Sequence, residues 1–241
     1  KWHLKKGGFD LNIAIIPARG GSKRIPMKNI RNFSGSPIIS YSIREAKKSK
    51  LFDHVIVSTD NEKIRKIAEK YGAICPFYRP KKLSNDIATL TQVVTHTLKE
   101  VSKIYAKPKN FCCIYATSPF IDYLDIKKSY KLFKKNYKKT DMILAVSKFT
   151  YPVQRAFRIK KDGNLQMIQK KYLYKRSQDL EEAYHDAAHF FWGKTQSHLK
   201  KINTNFKIRP YFLPRYRAQD IDSLEDWKHA EKAFKLHNFL K

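Results

Sequence analysis

Acidic residues are scarce in this 241-residue chain: 21 Asp and Glu stand against 50 Lys and Arg, a formal net charge of +29. So large a basic excess ordinarily points to nucleic acid or an anionic membrane surface. The lysines, however, are scattered along nearly every predicted helix and loop, and no RNA- or DNA-binding motif accompanies them. They read as solvated faces, so nucleic acid is not the expected partner. Cysteine is rare too: Cys75, Cys112 and Cys113 are the only three. They sit in apolar strand-like runs, with neither C-x-x-C nor zinc spacing, which predicts buried, inert thiols in a reducing cytoplasm. No run reaches the roughly 18 apolar residues of a membrane helix, so no membrane partner is expected. Repeats, low-complexity segments and flexible linkers are absent. Residues 1–11, mixed, polar and without an initial Met, are expected to be a vector-derived or disordered extension with no signal peptide.

What is present is a regular alternation of strand and helix. The apolar run Ile13 to Ile16 predicts a buried strand, and strands follow at His54–Thr59, Ala73–Phe77, Phe111–Tyr115 and Met142–Ser147. Helices are predicted from the Ser36-Pro37 N-cap pair to about Ser49, after Asp60-Asn61 to Gly72, over Thr89–Tyr105 and over Asp122–Asn136. Such alternation implies mostly parallel strands with right-handed crossovers, and ligands then bind at the strands' carboxyl ends. Residues 151–178 break the rhythm. They are crowded with Arg155, Arg158, Lys170, Lys171 and Arg176, and Asp162-Gly163 marks a hairpin turn. The chain returns through the apolar strands Ala187–Trp192 and Ile208–Leu213 and closes on an amphipathic helix carrying Leu224, Trp227, Ala230 and Phe234.

The densest chemistry follows the first strand: Pro17-Ala18-Arg19-Gly20-Gly21-Ser22-Lys23-Arg24-Ile25-Pro26-Met27-Lys28-Asn29. Glycines let backbone approach a ligand closely, and turn N–H groups can face an anion. Arg19, Lys23, Arg24 and Lys28 add positive charge to the same loop. The spacing is neither G-x-x-x-x-G-K-[ST] nor G-x-G-x-x-G, yet glycines and cations at a strand end predict phosphate binding. Near the other end, Asp220 and Asp222 stand two apart. In extended backbone that spacing sends both carboxylates to one side. Hard oxygens so placed suit Mg²⁺, which takes one or two carboxylates plus substrate phosphates. A helix-capping role for Asp222 is the plainer alternative, and Asp226 reads as a surface residue or one that supports the pair.

The loop resembles the nucleotide-binding loop of the cytidylyltransferases that make CMP-activated sialic-acid-like sugars. Three further segments resemble that family in the same order: Arg79-Pro80-Lys81-Lys82-Leu83-Ser84-Asn85-Asp86, Ala116-Thr117-Ser118-Pro119-Phe120, and Asp220-Ile221-Asp222-Ser223-Leu224-Glu225-Asp226-Trp227. The resemblance spans about residues 12–235. It implies a Rossmann-like open, mostly parallel sheet with helices on both faces, of the nucleotide-diphospho-sugar transferase type. Residues 12–150 and 179–241 would form the catalytic domain. Residues 151–178 would be a β excursion for homodimerisation, whose cations can act in the partner's site; a solvated basic hairpin is the other reading.

The activity implied is CMP transfer from CTP to the anomeric hydroxyl of a nine-carbon acidic sugar, with Mg²⁺ and release of pyrophosphate. Ala18, Arg19, Gly20, Gly21, Ser22 and Lys23 would bind the triphosphate, and Lys28 would balance charge on the leaving group. Asn29, Arg79, Asp86 and Thr89 would bind nucleotide, although Arg79 and Asp86 could instead pair with each other. Asp220 and Asp222 would hold the metal. The proton acceptor is open between a metal-bound water and Asp222.

The sugar-facing residues depart from the N-acetylneuraminate pattern. Tyr115 stands where Gln is usual, two before Thr117-Ser118, and Phe120-Ile121 replaces Leu-Arg. The run from Ser177 to Trp192, with Gln178, His185, Asp186 and His189, resembles the branch of the family that acts on pseudaminic acid, except that Ala188-His189 stands where Gly-Gln is expected. Tyr115, Thr117, Ser118, Phe120, Gln178, His185, Asp186 and His189 are thus the expected sugar residues. A His185–Asp186 pair would bond the sugar's amide or carboxylate, with a histidine satisfied at a strand start as the other reading, and Phe190, Phe191 and Trp192 would add apolar surface, several of them also serving the core. The alternatives are another ulosonic acid, another nucleotide, or a nucleic-acid-binding protein on an inactive transferase scaffold.

Overall fold

A computed structural model describes residues 11–200 and 206–239. Its elements in chain order are β1 (Asn12–Pro17), β2 (Asn32–Phe33), β3 (Ser36–Pro37), α1 (Ile39–Ser49), β4 (His54–Ser58), α2 (Glu62–Lys70), α3 (Leu90–Ile104), β5 (Asn110–Ile114), α4 (Tyr123–Lys135), β6 (Met142–Lys148), β7 (Phe157–Ile159), β8 (Leu165–Met167), β9 (Tyr184–Lys194), α5 (Thr195–Lys200), β10 (Ile208–Phe212) and α6 (Leu224–Phe239). Six strands form the main sheet in the order β10-β6-β9-β5-β1-β4. β1 pairs in parallel with β4 and β5, and β10 with β6, while β9 runs antiparallel between β5 and β6.

The alternation of β1 explains the layering. Ala14 and Ile16 face a core shared with Ile39, Ile43, Ile64 and Ile126 of α1, α2 and α4. Ile13 and Ile15 face the opposite core, with Val94, Leu98 and Val101 of α3. Both sheet faces are therefore covered, as a near-continuous apolar strand requires. Cys75, Cys112 and Cys113 are free and buried, and burial raises all three thiols well above the usual range.

A third, smaller core joins Ile25, Phe33, Ile38, Phe120, Ile221, Trp227 and Phe234. Ile25 lies inside the cation loop, Phe120 directly follows Thr117-Ser118-Pro119, and Ile221 separates the two aspartates. Three of the four motifs thus anchor apolar side chains in one shared cluster.

Several local expectations change. Ser36-Pro37 forms a two-residue strand with Asn32-Phe33 and does not start α1, which begins at Ile39 without a side-chain cap. The turn between them uses Gly35 at φ 92°, and the Tyr41 hydroxyl holds it by donating to the Phe33 carbonyl at 2.7 Å. Residues 73–77 make only one isolated bridge, Ile56–Ile74, with a second just beyond them at Thr59–Tyr78; Pro76 has no N–H for a ladder. Leu11 packs on the α3-side core, so the fold begins one residue earlier than expected. The remaining residues of the expected extension lie outside the described residues. The 151–178 segment forms the β7–β8 hairpin around Gly163 at φ 80°. No helix among the described residues is long and apolar enough to cross a membrane.

Candidate active site

A cleft of about 310 Å³ opens at the carboxyl ends of β1 and β5. One wall is the loop after β1, lined by Arg19, Ser22, Lys23, Arg24, Lys28 and Asn29. Neither Gly20 nor Gly21 has positive φ; within this loop Met27 does, at φ 51°. A Cβ on Gly20 would sit 2.7 Å from Asn61 Nδ2, the side chain that caps α2, whereas one on Gly21 would meet nothing within 4 Å. Gly20 thus permits close packing against α2, and Gly21 leaves open space. Ala18 is buried. The Gly20 N–H donates to Asp60 at 3.0 Å, and Asn29 donates to the Arg19 carbonyl at 2.9 Å, so Asn29 braces the loop from behind.

Every cation of this loop has a carboxylate partner. Asp86 binds both Arg19 and Lys23 at 2.7 Å, and these two partners hold its pKa below the usual carboxylate range. Asp222 binds Arg24 at 2.8 Å and Lys28 at 3.2 Å, while the Lys28 ammonium also donates to the Ile221 carbonyl at 2.7 Å. The alternative Arg79–Asp86 pair therefore does not form. Arg79 is buried, lies 3.8 Å from Asp60 and donates through Nε to Ser84. Its Nη2 is buried in the cleft wall with no hydrogen-bond partner. Thr89 caps α3 in a reciprocal box with Gln92, and its neighbours Ala88 and Leu90 line the cleft instead.

The opposite wall is acidic. Ser223 and Asp226 cap α6: the Asp226 carboxylate accepts from the N–H groups of Asp222 and Ser223, which frees the Asp222 side chain for the cleft. Asp226, held low by Ser223, supports the pair from behind. Asp220 is exposed and stands outside the residues that line the cleft, and partial desolvation, then repulsion from Asp222, raises its pKa. Asp186 also repels it, and both acids act on the Tyr115 phenol, whose pKa burial pushes far up. The Tyr115 hydroxyl donates to Asp186 at 3.0 Å. Among the described residues no group of three or more His, Cys, Asp and Glu side chains is placed to hold a metal ion. The Asp220–Asp222 pair fits only an ion that, like Mg²⁺, completes its shell with water and substrate phosphate.

Several expected sugar residues lie elsewhere. Phe120 is 2% exposed in the third core, and Phe190, Phe191 and Trp192 are buried in the two main cores. Ser118 is fully buried and donates to the Ala188 carbonyl at 2.7 Å. His189 is 1% exposed and bonds the Arg217 carbonyl at 2.7 Å. His185 does not pair with the Asp186 carboxylate; its Nδ1 contacts the Asp186 carbonyl and its ring packs on Phe149. Gln178 is exposed in a short turn among the basic residues. Tyr115 and Thr117 do line the cleft.

The sequence reading missed an apolar patch of the cleft made by Leu83, Ala88, Leu90, Val93 and Cys113. The helical spacing of Leu90 and Val93 was its one visible signal. Arg24 was expected only as a loop cation, and neither its pairing with Asp222 nor the place of Asn85 in the cleft was foreseen.

A mostly parallel sheet carrying a cation loop at a strand end, faced by an acid pair, defines a nucleotidyltransferase. The solved structure of CMP:2-keto-3-deoxy-manno-octonic acid synthetase complexed with CTP shares this fold, with a TM-score of 0.67 at 13% identity over 94% of this chain and 99% of that one. The chain belongs to the cytidylyltransferase family, whose model matches residues 13–235. It is 41% identical over 231 residues to a pseudaminic acid cytidylyltransferase of Campylobacter jejuni, covering 94% of this chain and 97% of that one. It is 31% identical over 221 residues to an N-acylneuraminate cytidylyltransferase of Escherichia coli, covering 90% of this chain and 51% of that one.

Proposed function

We propose that this protein transfers CMP from CTP to the anomeric hydroxyl of pseudaminic acid. The hydroxyl oxygen attacks the α-phosphorus, the bond to the β,γ-diphosphate breaks, and pyrophosphate leaves. The observation that carries the substrate reading is the 41% identity over nearly the full length of both chains to the pseudaminic acid enzyme.

The cleft supports the chemistry. Arg19, Ser22 and Lys23, with the backbone of residues 18–21, cradle the triphosphate. The phosphates take over the cations that Asp86 now holds. Lys28 neutralises charge on the leaving pyrophosphate. The base rests on Leu90, Val93 and Cys113, where the orphaned Arg79 Nη2 offers it a donor. Asp220 and Asp222 would hold Mg²⁺, which supplies charge neutralisation at the phosphates when bound. Thr117, Tyr115 and Asp186 face the sugar. The Asp222 carboxylate is occupied by Arg24 and Lys28, which favours water as the acceptor of the sugar proton.

The β7–β8 hairpin exposes Phe157, Ile159 and Leu165, beside exposed Tyr151 and Tyr174. Such a surface supports a homodimer, read directly by light scattering of the full chain. The three free cysteines support a cytoplasmic setting.

The test is pyrophosphate release with CTP and Mg²⁺, comparing pseudaminic, legionaminic and N-acetylneuraminic acids. Turnover with pseudaminic acid well above the others is expected. Preference for another sugar overturns the substrate, and preference for another nucleotide overturns the base.

A further inference from the structure

Three chain segments far apart in sequence meet behind the acidic wall in a closed ring of hydrogen bonds. Ser118 Oγ donates to the Ala188 carbonyl at 2.7 Å. His189 bonds the Arg217 carbonyl at 2.7 Å. The Arg217 guanidinium returns to the Phe120 carbonyl at 2.9 Å and to the Asp125 carboxylate. Ser118, Phe120 and His189 are buried, and the Arg217 side chain is 11% exposed.

Each vertex lies next to Thr117, which lines the cleft, or to Asp186 or Asp220, which stand outside its lining. The 118–120 corner follows Thr117. Three residues before His189, Asp186 is held by Tyr115 and caps the Ala188 N–H at 2.8 Å. Three residues after Arg217 stands Asp220, which feels the Asp186 charge. The β9 segment between is not regular strand. Its pairing with β6 jumps from Leu144–Phe191 to Val146–Asp186, and Ala188 adopts φ 53°. A bulge re-aims side chains and leaves part of the ladder unpaired; on the β5 side the Tyr115 N–H still donates to the His189 carbonyl at 2.9 Å, and toward the 217–222 segment the backbone has no ladder to hold it. A carbonyl partner makes His189 Nε2 the donor. Nδ1 is then a buried acceptor without a partner. Burial holds this imidazole neutral, as the donating tautomer requires.

We propose that His189 is a positioning residue: by bonding the bulge to the Arg217 carbonyl it sets the Asp186 carboxylate relative to Asp220. The cation loop shares no bond of this ring, so metal-free triphosphate binding by that loop does not depend on it. The idea rests on the transferase reading for its kinetic test only.

The experiment compares His189→Leu, which removes the donor, with His189→Gln, whose amide N–H can reach the same carbonyl. Both are measured on the full chain with the sugar that the wild-type protein turns over best. For H189L, kcat/KM for the sugar is expected to fall about 10- to 100-fold, as for other displaced catalytic groups, with the calorimetric Kd for CTP alone unchanged. H189Q is expected to recover to within about threefold of wild type, because an amide replaces the lost donor. Amide hydrogen exchange gives a readout independent of turnover. H189L should speed exchange in both 184–189 and 215–222 while leaving 18–29 unchanged, and H189Q should not. Faster exchange in β9 alone overturns the proposal. So does H189L keeping the wild-type kcat/KM, H189Q failing as badly as H189L, or CTP binding weakening in step with the sugar. Wild-type silence toward every sugar defeats the functional reading, and exchange still decides this one.

Discussion

The two walls of the cleft are built in opposite ways. On the cationic wall the partners are exchangeable: Asp86 holds Arg19 and Lys23, whose side chains are 33% and 82% exposed. Solvated pairs of this kind contribute little and are screened by salt. On the acidic wall, Asp186 and the approach to Asp220 are fixed from behind by buried hydrogen bonds through Ser118, His189 and Arg217. The difference has a physical reason. A triphosphate brings its own charge and can reorganise loose cations around itself. Groups that orient a neutral hydroxyl gain little from such attraction and must already be in place.

Lys28 is where the contrast can be broken most severely, because it belongs to both walls. It rises from the cation loop but is only 20% exposed, and it bonds both Asp222 and the Ile221 carbonyl. Lys28→Ala is expected to lower kcat by about 10²–10³, the loss typical of one preorganised transition-state donor. Arg24 remains on Asp222, so folding should persist. Rates at saturating CTP check this, and a loss below about tenfold would make Lys28 just another replaceable cation.

The next largest effect separates the walls by pH. Burial depresses the His189 pKa to about 4 from an ordinary 6.5. The unfolded chain takes up a proton below pH 6.5 that the folded chain refuses until about pH 4. This group's contribution is therefore complete above pH 6.5 and is lost as pH falls toward 4. The total is about 3 kcal/mol at one unit per 1.4 kcal/mol. Urea unfolding of wild type and H189Q across that range should show the gap between them shift by this amount. Parallel curves would place the acid sensitivity elsewhere, in His198 for example, whose pKa burial also lowers.

The walls also differ in how far they could be read from sequence, for the same reason. The cation loop is local: Arg19, Ser22, Lys23 and Lys28 fall within eleven residues of one strand end. Their types and order carry the chemistry without the fold, and the alternation of strands and helices was equally local. The acidic wall is assembled from positions 118, 186–189 and 217–222, and no local pattern announces that they meet. β9 is also a central strand covered on both faces, so His189 to Trp192 are buried in succession and no alternation marks which side chains face the cleft. Aromatic residues near a motif were therefore assigned to the sugar when Phe120, Phe190 and Trp192 belong to cores. Thr89 and Asp226 show the reverse case, since each caps a helix by a side-chain pattern visible in sequence.

Asp86→Asn tests how replaceable the cationic partners are. If Asp86 only occupies Arg19 and Lys23 until phosphate arrives, losing its charge should tighten CTP about two- to fivefold, a gain that fades with salt. If it instead holds those cations in a required geometry, binding should weaken. Calorimetry at low and high ionic strength distinguishes the two by sign.

The smallest expected change lies on the rigid wall. Ala188 sits at φ 53°, where an L side chain crowds its own carbonyl and glycine does not. Left-handed backbone costs alanine roughly 1–2 kcal/mol, but glycine loses up to about 1 kcal/mol more entropy on folding. Ala188→Gly should therefore gain about 0.5 kcal/mol net, or roughly 1–2 °C in Tm for a domain of this size. The ring bonds at Ala188 use only its N–H and carbonyl, and glycine keeps both. Turnover should consequently stay near wild type while Tm rises. A fall in Tm would mean that the Ala188 methyl packs for more than its strain costs. A rise in Tm with lost turnover would mean that this strain itself aims Asp186.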